Sequence, residues 1–200
     1  MRPSLQPTVQ SRSARRQAPG GCLAETCVKG DMTLARGTAL LRLLKYVGGD
    51  NRRTARLDAE LPVLQHRKAP GLWQIAVRLA AVDDVRTAPA PRARKLRIVA
   101  QEPTMWAVVT RRGRPTDQAI QRAETVIMDT LARSYWFATG SATIRILGPV
   151  SVLPFVGSFE VAVPVFRQLQ HQSTGDCIEC RSARLTPANR PANPASLPIH

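Results

Sequence analysis

Leu40, Leu41, Leu43, Leu44 and Val47 recur at helical spacing, with Arg36, Arg42 and Lys45 at charged positions between them. This pattern predicts an amphipathic helix from about Met32 to Val47. Gly48-Gly49-Asp50 ends it, because glycine accepts the left-handed conformation past a helix end. The strongest helical run follows Pro115 and extends from Thr116 to about Tyr135. At 100° per residue Ile120, Ala123, Ile127, Leu131 and Ser134 share one face, with Arg122, Asp129 and Arg133 opposite. Residues 72–82 read as a third, shorter helix carrying Leu72, Ile75, Ala76 and Leu79 on one side. Ile75, Val77 and Leu79 also alternate, so a strand fits there too. Leu96–Ala100 and Met105–Thr110 read as short strands. The valines and isoleucines of 143–166 favour strand but are broken by Pro149, Pro154 and Pro164. No repeat is evident in the sequence. The whole predicts a mainly α chain of short helices with irregular, proline-broken segments, disordered termini, and short strands at 96–110 and 143–163.

Composition narrows the class. Two hundred residues suffice for one domain with tails. Glycine does not recur at every third position, so collagen is excluded. Four cysteines are too few for a disulfide scaffold, and the prolines exclude a long coiled coil. The organisation expected is a basic tail at 1–30, a small helical segment at 31–85, and a basic Pro/Ala linker at 86–95. A second segment at 96–170 and a Pro-rich tail at 171–200 follow.

The formal charge is +15, and arginine supplies 25 of the 29 basic residues. Guanidinium groups suit phosphates and base edges, so a polyanion, duplex DNA first, is the expected partner. A GC-rich reading frame would produce the same surplus without selection. The segment Pro149–Phe166 carries Glu160 and three prolines, which speaks against a membrane helix. No apolar signal-peptide core follows the basic first residues, so a cytoplasmic location is expected.

Cysteines occur as two pairs, Cys22/Cys27 and Cys177/Cys180. Four thiolates could hold zinc in an interaction module, and scattered free thiols are the alternative. No nucleophile elbow, phosphate loop, zinc-protease or dinucleotide motif occurs. Asp83 and Asp84 are adjacent and point apart, which is poor geometry for paired acid–base work. The three histidines lie far apart in sequence. A non-enzyme without a cofactor is expected.

Arg111-Arg112-Gly113-Arg114-Pro115 is the one segment with a recognisable design. Glycine allows close backbone approach, proline keeps the chain extended, and the arginines suit a narrow minor groove. The run RRGRPTDQAIQRAETVIMDTLAR, residues 111–133, resembles the arm and first helix of TetR-family transcriptional repressors. Val126, Ile127, Asp129 and Leu131 carry the apolar-and-acid pattern. The resemblance implies an all-helical fold with a helix-turn-helix and DNA binding as a homodimer. Arg111, Arg112 and Arg114 would then contact DNA, with Gly113 and Pro115 shaping the arm. After residue 133 the family pattern is lost: Ser134-Tyr135-Trp136-Phe137 replaces the expected helix end, and Pro149 interrupts the expected turn. The expectation is therefore a truncated or degraded regulator. A minor-groove hook on a disordered chain and a frame-displaced product without evolved function are the remaining alternatives.

Overall fold

The computed structural model describes residues 13–148 and 157–167. Nine strands and two helices run in the order β1 (Ser13–Ala18), β2 (Gly21–Lys29), α1 (Met32–Val47), β3 (Ala59–Ala69) and β4 (Leu72–Leu79). Then come β5 (Leu96–Gln101), β6 (Thr104–Arg112), α2 (Asp117–Leu131), β7 (Trp136–Ala138), β8 (Thr143–Ile146) and β9 (Ser158–Arg167). All strands join one antiparallel sheet in the order β1-β6-β9-β8-β3-β4-β2-β5, with β7 also on β9. The mainly α expectation is therefore overturned.

The connections force the sheet to curl. Pro19 and Gly20 alone join β1 to β2, and Glu102 and Pro103 alone join β5 to β6, yet these partners lie toward opposite ends of the order. Laid flat at about 4.8 Å per strand, β5 and β6 would sit roughly 29 Å apart. A two-residue link spans about 10 Å. The two ends must approach each other, as in a barrel. Consistent with this, Gln17 and Ala18 of β1 and Gln101 of β5 line one cavity.

The order also reveals a duplication that the sequence hides. Strands β2, β3 and β4 with α1 form a β-α-β-β unit arranged β3-β4-β2, flanked by β5. Strands β6, β8 and β9 with α2 repeat it as β8-β9-β6, flanked by β1. The halves join through β3 and β8.

Both helices fall where their periodicity places them. Asp31 caps α1, its Oδ1 accepting from the Thr33 and Leu34 amides at 2.9 and 3.0 Å. Thr116 caps α2 through the Ala119 amide at 3.2 Å. Ile120, Ala123, Ile127 and Leu131 are buried as the pattern requires. On α1 the sheet takes Ala35, Ala39, Leu40, Leu43 and Tyr46 and leaves Leu41 and Leu44 outside.

The other departures share one cause. Residues 72–79, read first as a helix, are β4, and 13–18 and 21–29, read as tail, are β1 and β2. In β2 Cys22 through Thr26 are all buried, because the curled sheet covers both faces and erases the two-residue alternation. Pro164 is tolerated inside β9 because it falls between the residues paired with β8 and those paired with β7. Its carbonyl faces that gap and accepts from Thr139, so its missing N–H interrupts no ladder. Of the tails expected to be disordered, 1–30 and 171–200, residues 1–12 and all of 171–200, with the pair Cys177/Cys180, lie outside the described residues.

Candidate ligand site inside the curled sheet

Alternate side chains of each strand point to opposite faces. One face meets the helices: Thr26 accepts from Arg42, and the Gln65 amide donates to the Met32 carbonyl at 2.8 Å. The other face lines the inside of the curl. There the register sets Thr143, His66, Gln74 and Cys27 side by side across β8, β3, β4 and β2. The next row carries Glu160, Arg145, Leu64, Ala76, Glu25 and Arg97 across β9, β8, β3, β4, β2 and β5.

A cavity of about 350 Å³ opens between these rows, with Leu23, Leu64, Trp106 and Pro164 as apolar walls and His66 and Glu25 among its polar groups. That volume lies within the roughly 300–1,000 Å³ of small-molecule sites. A second space of about 190 Å³ shares Leu23, Leu64, Gln101 and Trp106 with the first and adds Arg78 and Arg145. The two spaces adjoin at these shared residues, and the second also carries Glu60, which pairs with Arg78 at 3.6 Å.

His66 Nδ1 lies 3.2 Å from the Ala142 carbonyl oxygen and 3.4 Å from Thr143 Oγ1. A carbonyl can only accept, so Nδ1 donates, and Nε2 is the ring nitrogen not held by the backbone. Ser141 Oγ stands 3.5 Å from Nε2. A ring held through one nitrogen by a carbonyl is the usual support of a metal-ligating imidazole. Glu25, with 7% of its side chain exposed, pairs with Arg97 at 3.1 Å and accepts from Gln74. The floor is thereby neutralised.

Glu160 is fully buried between Arg16 at 2.7 Å and Arg145 at 3.1 Å, with Thr110 Oγ1 at 3.3 Å. The Arg145 Nη1–Glu160 Oε2 contact is close enough for an ion pair but misaligned for a hydrogen bond, so both atoms keep unused capacity. Burial pushes the Arg145 guanidinium below its usual value, and Glu160 opposes this without cancelling it. A buried guanidinium with donor capacity left over suits a ligand carboxylate.

A separate groove of about 490 Å³ lies between α2 and strands β3 and β8, walled by Trp73, Ile120 and Ile144. Arg67 stacks on Trp73 at 4.7 Å and pairs with Asp117 at 2.6 Å. No imidazole, thiol, thioether or phenol lines this groove.

The arginine arm takes a different form from the one expected. Arg111 and Arg112 end β6, paired with Phe159 and Ser158 of β9. Gly113 turns the chain at φ 91° and donates to the Gly157 carbonyl at 2.8 Å. Arg114 and Pro115 then lead to the Thr116 cap. Arg114 lies near enough to Arg36 to help lower that guanidinium, though burial contributes more. The helix that follows enters β7 and no second DNA-reading helix, so the helix-turn-helix is overturned. Cys22 and Cys27 lie five apart on one strand and point to opposite faces. They cannot share a zinc ion.

His66 escaped the sequence reading because its partners, Ser141, Ala142 and Thr143, lie about 75 residues away. Only the β3–β8 pairing brings them together.

Residues 8–147 match the family described as SOUL heme-binding protein. The chain belongs to the SOUL heme-binding protein family. This overturns the resemblance to TetR repressors, and with it the DNA-binding regulator and the frame-displaced product, because the match extends on both sides of residues 111–133. No curated protein matches this SOUL chain. Among solved structures it is similar to the EcmrR C-terminal domain, with TM-score 0.61 and 10% identity, over 80% of this chain and 100% of that one. EcmrR in a DNA complex matches with TM-score 0.60 and 9% identity, over 79% of this chain and 58% of that one. A hydrolase from Listeria innocua matches with TM-score 0.54 and 11% identity, over 78% and 92%. These likenesses establish the SOUL chain's fold alone. No helix among the described residues is long and apolar enough to cross a membrane.

Proposed function

We propose that this SOUL-family chain binds heme inside the curled sheet, as a binding protein and not an enzyme. The observation that carries the reading is His66, which enters the cavity with Nδ1 committed to the Ala142 carbonyl and Nε2 available to iron. A heme needs only one protein ligand, and the donor set fits it. Leu23, Leu64, Trp106 and Pro164 supply apolar contact for a flat ring. Arg145, whose Nη1 keeps donor capacity, suits a propionate. Heme bound there supplies a redox-active iron centre. The chain's own residues bind it, orient it and limit water access. The groove between α2 and strands β3 and β8 has no imidazole, thiol, thioether or phenol among its described lining residues and is not the site of this reading. A cytoplasmic location belongs to the same proposal and accords with Cys22 and Cys27 as free thiols.

The test is titration of the full chain with hemin, followed in the Soret band. One equivalent should bind. His66→Ala should weaken hemin at least tenfold and change the band, while iron-free protoporphyrin IX should bind parent and variant alike. Equal hemin affinity and identical spectra for parent and variant would overturn the assignment.

A further inference from the structure

The solvent face of α1 has the features of a contact with a second copy of this chain. Leu34, Leu41 and Leu44 are 69, 66 and 60% exposed. Helix α1 contains no acidic residue, and Gly37, Thr38 and Lys45 are exposed on its outer side with the leucines. At 100° per residue Asp31, Leu34, Thr38, Leu41 and Lys45 fall within an arc of about 80°, opposite the buried face. Leu44 and Gly37 border that arc. A Cβ added at Gly37 would meet nothing within 4 Å, so the helix surface is notched beside Thr38.

Asp31 and Lys45 each lie seven residues from Thr38, about 10.5 Å along the axis on opposite sides. A two-fold axis through Thr38 therefore brings Lys45 of one copy level with Asp31 of the other, twice. The same operation sets Leu34 beside the second copy's Leu41. Asp31 uses Oδ1 to cap the helix, which leaves Oδ2 for an ammonium group. Charge and apolar surface match under the same rotation, as an isologous contact requires.

We propose that the protein forms a homodimer through antiparallel packing of α1 on α1 about Thr38. The contact fits a second copy better than an anionic bilayer, because its one lysine is balanced by Asp31 and the helix's two arginines turn to the sheet, Arg36 to Gln65 and Arg42 to Thr26. It is smaller than a standard interface of about 800 Å² per partner, so the dimer should be weak and concentration-dependent.

Sedimentation of the full chain from micromolar to submillimolar concentration should show reversible dimerisation. Leu41→Glu should leave a monomer with unchanged circular dichroism, and Lys45→Asp should weaken the dimer at least tenfold. In a background with Cys27, Cys177 and Cys180 changed to serine, Thr38→Cys should cross-link rapidly under mild oxidation. Thr130→Cys, exposed on α2, should not. Equal cross-linking of the two cysteine variants would overturn the proposal, as would dimerisation of Leu41→Glu at parental strength. A parent that stays monomeric throughout and binds anionic vesicles through Leu41 would overturn it in favour of a membrane surface.

Discussion

Replacing Glu160 by glutamine keeps the side chain's shape and removes one buried charge. Glu160 is fully buried, while Arg145 is 14% exposed and Arg16 is 53% exposed. Arg16 can turn to water when the carboxylate is lost, so its share is about 1 kcal/mol or less. Arg145 cannot, and it would remain as a desolvated cation whose ion-pair partner has gone. Breaking a buried pair in this way costs about 3–5 kcal/mol. That is a large part of the roughly 5–15 kcal/mol by which domains are stable. Changing both partners, Glu160→Leu with Arg145→Leu, removes both desolvation penalties and should leave stability within about 2 kcal/mol of the parent. Urea unfolding of the parent, both single leucine variants and the double variant closes a double-mutant cycle. The expected coupling exceeds about 2 kcal/mol. A Glu160→Gln variant within about 1 kcal/mol of the parent would refute this reasoning. So would a double variant whose loss equals the sum of its singles.

Three further outcomes follow from the packing. Ile127 is 1% exposed in the main core, so Ile127→Ala should cost about 2–5 kcal/mol in the same urea assay. Burial, and secondarily the nearby Cys22 thiol, push the Tyr46 phenol above its ordinary value of 10.0, and its hydroxyl donates to the Pro89 carbonyl at 2.8 Å. The folded state thus holds this proton more tightly, and the stability it contributes is present below pH 10 and lost as pH rises further. Tyr46→Phe should therefore show a shallower alkaline loss of stability in pH-dependent melts. Cys22 is fully buried, and burial first, then Asp84 and Asp83, raise its thiol, whereas Cys27 is partly exposed. Iodoacetamide mapped by mass spectrometry should label Cys27 in the native protein well before Cys22.

The amino-acid order by itself determined the two helices. Asp31 and Thr116 as caps, Gly48 as a stop and the spacing of Ile120, Ala123, Ile127 and Leu131 are local signals, readable within one or two turns. The strands β5, β6, β8 and β9 were also partly legible from their β-branched residues. Which face of α1 is buried was not. Its periodicity offered Leu40, Leu41, Leu43 and Leu44 alike, and the sheet beneath chose Leu40 and Leu43 with Ala35, Ala39 and Tyr46. Strand β2 was hidden because the curl buries both its faces, and a strand buried on both sides loses the alternation that marks it, whereas β4 kept an alternation of Ile75, Val77 and Leu79 that also fits a helix face. The segment 111–115 looked like a DNA-reaching arm because a basic Gly-Pro turn leading into a capped helix has the same local chemistry wherever it occurs. Its role here, joining β6 to α2, depends on Phe159 and Ser158 some fifty residues on. The ligand site lies wholly at this second level. His66 with Ala142, Glu25 with Arg97, and Glu160 with Arg16 and Arg145 are partners that only the sheet's register brings together. Short-range periodicity carries no information about which strand lies beside which. That is settled by the two-residue links that draw the ends of the sheet together and by the packing of two helices on one of its faces.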